Sequence, residues 1–570
     1  MMIQDQIRNL IKQAFYGQQL PNFTVEHPDE LSHGDYATNI ALILSKQLKK
    51  SPIEIAQNLV ENLNKIKGKE ITKIEIAGPG FINFYLSPEF FENQTKEILK
   101  QGKKFGQNKI LKGQKTIIEY TDPNPFKEFH IGHLMSNAIG ESVSRLIESF
   151  GSKVIRVSYG GDVGLHVAKS LYVVLKQEVR VDNIKKLSSS EQLSFWAQAY
   201  VDGSTAYDTD PNAKIEIDNL NKIIFDKSDK KINRLYDWGR KISIDHFQKV
   251  FKRLDTHFKY NFWESGVVAS ALKIVDEGLA KNILEKSEGA IVFKGERYGL
   301  HTRVFVNSKG VPTYEAKDLG LSVVKLKRYR FDSSIIITGN EQNDYFKVLL
   351  CVMGILRPTV KDKTKHIGHG MLRFASGKMS SRKGNVITGI SLLDQVKVLV
   401  LEKMQERNFE MKEKEKIAEE VAIGAVKYSI LKQVAGNDIV FDFDTSISFE
   451  GDSGPYLQYS CVRAKAILEK ARKERVKLNW KKAGTEITNL EKMIYRFPEI
   501  VERAGKEYAP HYLALYLIEL AGEFNAFYAQ GKIVDKADPN SPYKVALTSA
   551  FVTIMQNGLK LLGIKIPDRM

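Results

Sequence analysis

A strand–turn–helix–strand order between residues 115 and 159 constrains the fold more than any other feature of this sequence. The β-branched run KTIIEYT (115–121) predicts a strand, and HLMSNAIGESVSRLIESFG (133–151) predicts an amphipathic helix that ends at Gly151. KVIRVSY (153–159) predicts a second strand. Strands that alternate with helices build a parallel, doubly wound sheet. We therefore predict an α/β chain organised around a Rossmann-type parallel sheet.

The remaining sequence divides into units on either side of this sheet. With 570 residues the chain exceeds what one core usually holds, so we expect a multidomain protein. The predicted units are a small α+β domain at 1–110, the sheet domain at 111–390 with a polar helical insertion at 180–265, a helical linking region at 391–450, and an all-α domain at 451–570.

Charge and cysteine content restrict the partners and the compartment. The net charge of +17 favours a polyanionic partner, because lysine and arginine bind phosphates and release counterions. A lysine-rich solvated surface is the alternative. Only Cys351 and Cys461 are present, so neither a disulfide framework nor a Cys-x-x-Cys zinc site is expected. The sequence has no apolar run of membrane-spanning length and no signal-peptide pattern, so we expect a cytoplasmic protein without membrane contact.

A His-Ile-Gly-His segment at 130–133 lies between the first predicted strand and the predicted helix. The N-terminus of a helix presents free N–H groups and a partial positive charge to a phosphate. Gly132 lets a flat purine approach the backbone, and His130 and His133 can donate hydrogen bonds to phosphate oxygens. Taken alone, two surface histidines at a helix start are the simpler interpretation.

A basic segment at 376–385, SGKMSSRKGN, favours the phosphate-binding interpretation. Glycines at both ends allow a mobile loop, and Lys378, Arg382 and Lys383 bring three cations to it. Such cations stabilise a pyrophosphate leaving group, whose charge grows in the transition state. A solvated basic loop is common, but both segments in this order around βα units are much rarer than either alone.

Together these segments resemble the HIGH and KMSKS signatures of class I aminoacyl-tRNA synthetases. The first is matched in full, and the second as Lys-Met-Ser-Ser-Arg, with Ser381 where the family's second lysine usually lies. Lys378 or Lys383 could do the work of that lysine. The run GNEQ (339–342) resembles an element of this class beside the nucleotide ribose and the amino acid. The resemblance implies ATP as a substrate, bound by His130, Gly132, His133, Gly339, Lys378, Met379, Ser380, Arg382 and Lys383.

Further blocks resemble arginyl-tRNA synthetases, and this resemblance spans nearly the whole chain. HGDYATNIA and AGPGFINFYLS resemble that family's N-terminal additional domain, and IEYTDPNPFKEFHIGHL resembles its strand, Asn and HIGH block. YGGDVGLHVAK and PTYEAKDLG resemble two further catalytic stretches, and GPYLQYSCVRAKAIL and NGLKLLGIKIPDRM resemble its anticodon-binding domain. The predicted units then correspond to an additional tRNA-binding domain, the catalytic domain, a region that contacts the tRNA stem, and an anticodon-binding domain.

The resemblance implies L-arginine as the amino acid substrate. A guanidinium is planar, always charged and carries five donors, so a selective pocket needs acceptors and at least one buried carboxylate. A neutral amino acid would leave that carboxylate unpaired, at a cost of about 2–5 kcal/mol. A carboxylate at a strand end can equally be an exposed charge or a helix cap. Carried over by position, the arginine contacts are Glu119, Asn124, Tyr314, Asp318 and Gln342.

The polyanionic partner that the resemblance implies is tRNA(Arg). Phe81 and Asn83 match positions that touch the tRNA elbow, and Tyr459, Arg463 and Met570 match positions that line the anticodon pocket. The simpler interpretations are core packing for Phe81, packing and snorkelling on a helix face for Tyr459 and Arg463, and a frayed terminus for Met570.

The reaction implied by the resemblance has two steps. The arginine carboxylate attacks the α-phosphorus of ATP, and the terminal ribose hydroxyl of the tRNA then attacks the carbonyl of the adenylate. The catalytic residues His130, His133 and Lys378 would supply positioning and charge stabilisation. Because the sequence offers no dedicated metal ligands, Mg²⁺ should arrive with ATP. We expect a monomer.

Three alternatives remain open at this point. A class I lysyl-type synthetase would share the ATP signatures but not the HGDYATN and GPGFINF blocks. A catalytically silent RNA-binding paralogue would need neither His-Ile-Gly-His nor the lysine of KMSSR. A small-molecule nucleotidyltransferase would not need the helical residues 391–570.

Overall fold

The N-terminal unit is an antiparallel sheet covered by helices. The structure, a computed structural model, describes residues 2–15, 19–375 and 388–570, and only the backbone of 178–180. The elements of this unit are α1 (Ile3–Ala14), β1 (Val25–Glu26), β2 (Tyr36–Thr38), α2 (Ile40–Leu48), α3 (Pro52–Ile66), β3 (Ile71–Ala77), β4 (Phe81–Leu86) and α4 (Pro88–Gln101). The strands pair in the order β1–β2–β4–β3. Gly80, in the turn between β3 and β4, has a φ of +130°, and a Cβ there would lie 2.9 Å from Cβ of Pro52, so this turn requires glycine.

The sheet domain begins with the predicted strand–helix–strand unit. It consists of β5 (Lys115–Glu119), α5 (Ile131–Ser149), β6 (Lys153–Gly160) and α6 (Leu165–Lys176). β5 runs parallel to β6. The strand ends earlier than its apolar pattern suggests, because Thr121 and Asp122 take φ angles of +79° and +47°. These left-handed residues turn the chain toward the start of α5.

A helical insertion separates α6 from the next strand of the sheet. Its helices are α7 (Glu178–Ile184), α8 (Ser189–Thr209), α9 (Pro211–Asp226) and α10 (Lys230–Arg253). A capping box of Ser188 and Glu191 starts α8, and Asp229 caps α10. The predicted insertion at 180–265 includes residues 260–263, which the structure places in a strand of the main sheet. A four-residue edge strand is too short for its periodicity to identify it.

The sheet domain continues to residue 374. Its further elements are β7 (Tyr260–Trp263), α11 (Val268–Ala280), β8 (Glu285–Ser287), β9 (Ala290–Phe293), β10 (Arg303–Val306), α12 (Tyr314–Tyr329), β11 (Ser333–Gly339), α13 (Asn343–Leu356), α14 (Pro358–Asp362), β12 (Thr364–His369) and β13 (Leu372–Phe374). Parallel strands pair in the order β12–β11–β5–β6–β7, which is the doubly wound order of a Rossmann-type sheet. Strands β8, β9 and β10 form a separate antiparallel sheet. The predicted fold class is confirmed.

The C-terminal part of the chain is predominantly helical over its described residues. Its elements are α15 (Gly389–Lys403), α16 (Met411–Leu431), β14 (Ile439–Phe441), α17 (Phe443–Ser446), α18 (Gly454–Lys473), α19 (Asn489–Ile494), α20 (Phe497–Lys506), α21 (His511–Ala529) and α22 (Ser541–Leu561). β14 pairs with β13 of the sheet domain. Buried side chains of α5, α15, α16, α18, α21 and α22 form one continuous hydrophobic cluster. Helix α5 therefore belongs to a core that the sheet domain and the helical part share.

Candidate active site

The sheet order places the carboxyl ends of β5 and β11 side by side. β6 and then β7 are added on one side of β5, and β11 and then β12 are added on its other side. This change of direction leaves a crevice at the carboxyl ends, where doubly wound proteins bind their ligands. A cavity of 450 Å³ opens there. The predicted site residues among those that line it are His130, Gly132, His133, Gly339 and Gln342.

The two histidines at the start of α5 form a stacked pair. His130 is the N-cap residue and has extended backbone angles, and its ring centroid lies 3.5 Å from that of His133. The backbone N–H of His130 donates to Nδ1 of His133 over 3.2 Å. A Cβ at Gly132 would lie 3.1 Å from the His130 ring, so glycine gives this ring room above the helix end. The free N–H groups of the first turn therefore face the cavity beside the rings.

Both histidines are neutral near pH 7. Burial lowers the pKa of His130, and the neighbouring Lys127 lowers it further. Burial lowers the pKa of His133 well below its usual range, with His130 and Lys127 adding to the effect. Because Nδ1 of His133 accepts a hydrogen bond, the proton of the neutral ring is assigned to Nε2. His133 is thus a neutral hydrogen-bond donor at the start of α5.

The predicted arginine contacts come from β5, α12 and the segments that follow β5 and β11. Glu119 ends β5, and its buried carboxylate pairs with Nζ of Lys325 at 3.0 Å. Asp318 accepts a hydrogen bond from the hydroxyl of Tyr345, and burial raises the pKa of Asp318 to about 7. Glu119, Asp318 and Lys325 line one small internal cavity. Since Lys325 neutralises Glu119, Asp318 is the more available of the two for a cationic substrate.

The other three predicted contacts lie nearer the surface. Asn124 accepts a hydrogen bond from the backbone N–H of Gly161 through Oδ1, over 2.7 Å. Tyr314 starts α12 one turn before Asp318, and 58% of the residue is exposed. Gln342 is exposed on the wall of the large cavity. The structure thus places Gln342 on the wall of the 450 Å³ cavity and Asp318 on the wall of the small internal one.

Two carboxylates that the sequence reasoning missed, those of Glu264 and Asp162, lie close enough to Tyr159, on β6, to interact with it. Burial raises the pKa of Tyr159 well above its usual range, and the carboxylates of Asp318, Glu264, Glu119 and Asp162 raise it further. Glu264 pairs with the buried Lys317. Asp162 is fully buried and accepts hydrogen bonds from Ser265, Tyr236 and Arg240. Glu119, Glu264 and Asp162 form salt bridges with Lys325, Lys317 and Arg240, whereas Asp318 has no salt bridge among the described residues.

Asp122 is a further site residue that sequence reasoning missed. It lines the large cavity together with the histidines. Burial raises the pKa of Asp122 well above its usual range, and Glu119 contributes to the shift. The available signal was its place three residues after Glu119 and two before Asn124, within the segment that turns from strand to helix.

The basic segment of 376–387 lies outside the described residues. It contains the predicted phosphate contacts Lys378, Met379, Ser380, Arg382 and Lys383. Of the described residues before it, Leu372 lines the cavity. Of those after it, Thr388 forms a β-bridge with His130, and Gly389 N–H donates to the Phe129 carbonyl over 2.9 Å.

The predicted tRNA contacts lie in the two outer units. Phe81 and Asn83 are two residues apart on β4, with Phe81 exposed and Asn83 buried. Tyr459 and Met570 line a cavity of 260 Å³ together with Arg407 and Phe449. Arg463 donates to Oδ1 of Asn525 over 2.8 Å, and its guanidinium lies 4.7 Å from the Tyr459 ring centroid. Tyr459 and Met570 therefore share one cavity, and Arg463 supports the tyrosine.

Within residues 2–15, 19–375 and 388–570, His, Cys, Asp and Glu side chains form no group of three that could hold a metal ion. Over the same ranges, no helix has the length and apolarity needed to cross a membrane.

Comparison with known proteins identifies the family. Models described as "Arginyl tRNA synthetase N terminal domain", "tRNA synthetases class I (R), catalytic domain" and "DALR anticodon binding domain" match residues 1–86, 94–443 and 457–570. The chain is 32% identical over 556 residues to an arginine–tRNA ligase of Clostridium kluyveri, covering 96% of each chain. It is 32% identical over 558 residues to the enzyme of that name from Limosilactobacillus reuteri, covering 96% of this chain and 95% of the other.

Solved structures agree in fold. The arginyl-tRNA synthetase of Thermus thermophilus superposes with a TM-score of 0.79 at 22% identity, with all of both chains covered. That of Plasmodium falciparum gives a TM-score of 0.80 at 22% identity, with 100% of this chain and 98% of the other covered. With the family models over all three parts of the chain, these likenesses show that the chain belongs to the class I arginyl-tRNA synthetase family.

Proposed function

We propose that this protein ligates L-arginine to tRNA(Arg) through an arginyl-adenylate, releasing AMP and diphosphate. The observation that carries the proposal is a 450 Å³ cavity at the switch point of the sheet, which a helix N-terminus, a histidine pair and Asp122 line, next to a group of carboxylates that includes Glu119 and Asp318. The helix end suits a triphosphate, and the carboxylates suit a cationic amino acid.

In the first step the arginine carboxylate attacks the α-phosphorus of ATP, and diphosphate leaves. His130 and His133 donate hydrogen bonds to phosphate oxygens as negative charge shifts toward the leaving group. Burial and Lys127 lower the pKa of both histidines and favour their neutral forms. A neutral imidazole binds the phosphates of the ground state less strongly than a cationic one would. Gly132 and Gly339 border the space for the nucleotide, and Lys378, Met379, Ser380, Arg382 and Lys383 are proposed to contact the phosphates.

Mg²⁺ is proposed to reach the site on the phosphates of ATP. Among the described residues the cavity offers Asp122 and Glu341 as carboxylates, too few for a dedicated cage of oxygen ligands. When bound, Mg²⁺ would neutralise part of the phosphate charge. The protein's own contribution is the orientation of the nucleotide by α5 and the loop after β11.

Arginine is proposed to extend from this cavity into the carboxylate cluster. Asp318 binds the guanidinium, with Tyr314 against the aliphatic part and Gln342 at the entrance. Glu119 is proposed to lie beside the guanidinium while it holds Lys325. Asn124 orients the Gly161 backbone at the edge of the site. A neutral side chain would leave the partly buried Asp318 without a cationic partner, which is the physical basis of the selectivity.

The second step requires the tRNA to reach both ends of the protein. Phe81 and Asn83 are proposed to contact the elbow, and Tyr459, Arg463 and Met570 the anticodon. The proposed units are residues 1–110, 111–390, 391–450 and 451–570, with roles in tRNA binding, catalysis, stem contact and anticodon binding. We propose that the protein acts as a monomer in the cytoplasm.

Amino-acid-dependent exchange of labelled diphosphate into ATP tests this function. The exchange is measured with each of the twenty amino acids, with and without total tRNA, followed by charging of tRNA in the same preparation. Exchange and charging with arginine alone are expected. Exchange with lysine would identify a lysyl-type enzyme, and tRNA binding without exchange under either condition would identify a silent RNA-binding protein.

A further inference from the structure

A row of cations lies at the amino ends of the parallel strands, opposite the active-site crevice. Lys115 and Lys153 are the first residues of β5 and β6, and their Cα atoms are direct partners in the strand register. Asp332 N–H, just before β11, donates to the Lys115 carbonyl over 2.9 Å, which places the preceding turn with Arg330 at the same end. Helix α5, with 19 residues, runs from the nucleotide cavity to this end of the sheet, so about 28 Å separate the two.

The turn before β5 brings two further lysines to this end of the sheet. Leu111 N–H donates to the Phe150 carbonyl over 2.9 Å, which holds the turn against the end of α5. A Cβ at Gly151 would lie 3.5 Å from Cα of Lys112 and 3.6 Å from Cα of Lys109, so this turn packs closely against the start of β6. The surface that results is called the basic edge, and it consists of Lys109, Lys112, Lys115, Lys153 and Arg330.

The cations of the basic edge are accessible and unpaired. All of them are exposed except Lys115, which is half-buried. Within the described part of the chain, none of them forms a salt bridge. The carboxylates nearest in sequence have other partners: Glu148 binds Arg156 at 2.5 Å, and Asp332 accepts the backbone N–H of Lys115 through Oδ2 over 2.9 Å. The basic edge therefore keeps its positive charge.

The fold itself uses little of this charge. The C-terminus of α5 carries about half a negative charge and attracts a cation, but the basic edge supplies five. Lys115 and Lys153 lie on neighbouring strands about 4.8 Å apart, and like charges at such a separation repel each other. An anion bound across these strands would relieve the repulsion.

The composition and extent of the basic edge suit a nucleic acid backbone. Four of its five cations are lysines. Lysine is depleted in interfaces between proteins, whereas lysine and arginine are the usual partners of backbone phosphates. The row crosses β11, β5 and β6, a span of about 10 Å, which exceeds a single small anion. A nucleic acid duplex presents one negative charge per about 1.7 Å of its axis and could contact the whole row.

We infer that the basic edge binds the phosphate backbone of a nucleic acid duplex, independently of its sequence. This site is separate from the crevice, so a duplex held there leaves the crevice open to its own ligands. The inference does not depend on the proposed function, because neither the nucleotide nor the amino acid takes part in it. RNA and DNA share the backbone chemistry, and both serve as probes.

Binding of blunt duplexes to the full-length protein tests the inference. The probes are an RNA duplex of about 20 base pairs without a single-stranded end or loop, and a DNA duplex of the same sequence. Fluorescence anisotropy over a range of salt concentrations gives the dissociation constants without ATP or arginine. The variants are Lys153→Gln and the triple change Lys109→Gln, Lys112→Gln and Lys153→Gln. The control removes three exposed lysines of α9, α11 and β8 through Lys222→Gln, Lys273→Gln and Lys286→Gln.

Each lost phosphate contact lowers the salt dependence of binding by a known amount. The slope of log K against log salt should fall by about 1 for Lys153→Gln and by about 3 for the triple variant. At low salt the triple variant should bind the duplexes at least about 10-fold more weakly, and the control triple should bind as the wild type does. The duplex that binds more tightly identifies the source of the backbone. Charging of tRNA(Arg) and the unfolding midpoint should stay unchanged in the triple variant.

Four results would overturn the inference. They are the absence of duplex binding by the wild type, equal losses in the two triple variants, tighter binding of polyglutamate than of either duplex, and a loss of tRNA charging that parallels the loss of duplex binding. Polyglutamate binding would assign the basic edge to an acidic protein segment, and a parallel loss of charging would make it part of the tRNA path. Failure of the wild type to charge tRNA would contradict the proposed function alone.

Discussion

The histidine pair at the start of α5 shows how burial selects a protonation state. Burial disfavours a positive charge on either imidazole, and Lys127 adds to the effect. The backbone N–H of His130 fixes the tautomer of His133. Because the pKa of His133 lies well below its usual range, this ring is a neutral donor at pH 7.

His130→Ala and His133→Ala should slow adenylate formation without unfolding the protein. A donor that acts mainly in the transition state contributes about 2.7–4 kcal/mol, so each change should lower the single-turnover rate by roughly 100- to 1000-fold. Rapid-quench measurements give this rate, and nucleotide titration gives the affinity for ATP. His246→Ala, on α10, is the matched control. Near-normal rates in both site variants would contradict the proposed role.

Arginine binding should depend on pH through Asp318. Burial raises the pKa of this carboxyl to about 7, so it is largely protonated at pH 5.5 and ionised at pH 8. Only the ionised form pairs with a guanidinium, so affinity for arginine should rise with pH through about 7 and then level off. The stability of the unliganded protein should change with pH in the opposite direction. A raised pKa means that ionisation of Asp318 destabilises the fold, so the free energy of unfolding should fall as the pH rises through about 7. Calorimetry from pH 5.5 to 8.5 measures the slope, and Asp318→Asn should bind arginine weakly with a flat profile.

At the scale of elements, hydrogen bonds to Asp162 connect the helical insertion to the sheet. It follows β6, is fully buried, and accepts from Arg240 and Tyr236 of α10 and from the N–H and hydroxyl of Ser265 after β7. The guanidinium of Arg240 also lies 4.7 Å from the Trp263 ring centroid. One carboxylate therefore joins α10 to two strands beside the active-site crevice.

Asp162→Ala should destabilise the protein strongly. Removing one partner of a buried ion pair costs about 3–5 kcal/mol, because Arg240 and the other donors lose their acceptor. Urea unfolding followed by circular dichroism measures the loss. Asp245→Ala breaks an exposed pair with Lys241 on the same helix and should cost less than about 0.5 kcal/mol. Similar losses for the two variants would show that Asp162 does not anchor α10.

At the scale of the whole molecule, the last residues of the chain are tied back to the helical part. Arg569 forms two hydrogen bonds to Glu413 of α16, and its guanidinium lies 5.0 Å from the Phe409 ring centroid. Gln458 of α18 donates to the Lys565 carbonyl over 2.6 Å. These contacts place Met570 on the wall of the 260 Å³ cavity with Tyr459. The terminus is thus part of the proposed anticodon site.

Tyr459→Ala should weaken tRNA binding without affecting the small substrates. Stacking of a base on an aromatic ring is worth about 1–3 kcal/mol, so the dissociation constant for tRNA(Arg) should rise by roughly 5- to 150-fold. Filter binding at fixed salt measures it, and calorimetry measures arginine and ATP. Tyr298→Ala removes an exposed tyrosine of the sheet domain as a control. A comparable loss of arginine affinity in Tyr459→Ala would contradict a purely tRNA-binding role.

Local pattern by itself determined the strand–helix–strand unit, the Rossmann-type fold class and the position of His130 at a helix start. These features follow from side-chain periodicity and capping, which act over a few residues. Glu119 is different: its partner Lys325 lies 206 residues away, and this pair leaves Asp318 as the carboxylate proposed to bind the guanidinium. The strand order likewise brought Gly339 and Asp122 to the wall of the cavity at the His130 turn. Only the tertiary structure decided these relations, because burial and pairing depend on contacts between segments distant in sequence.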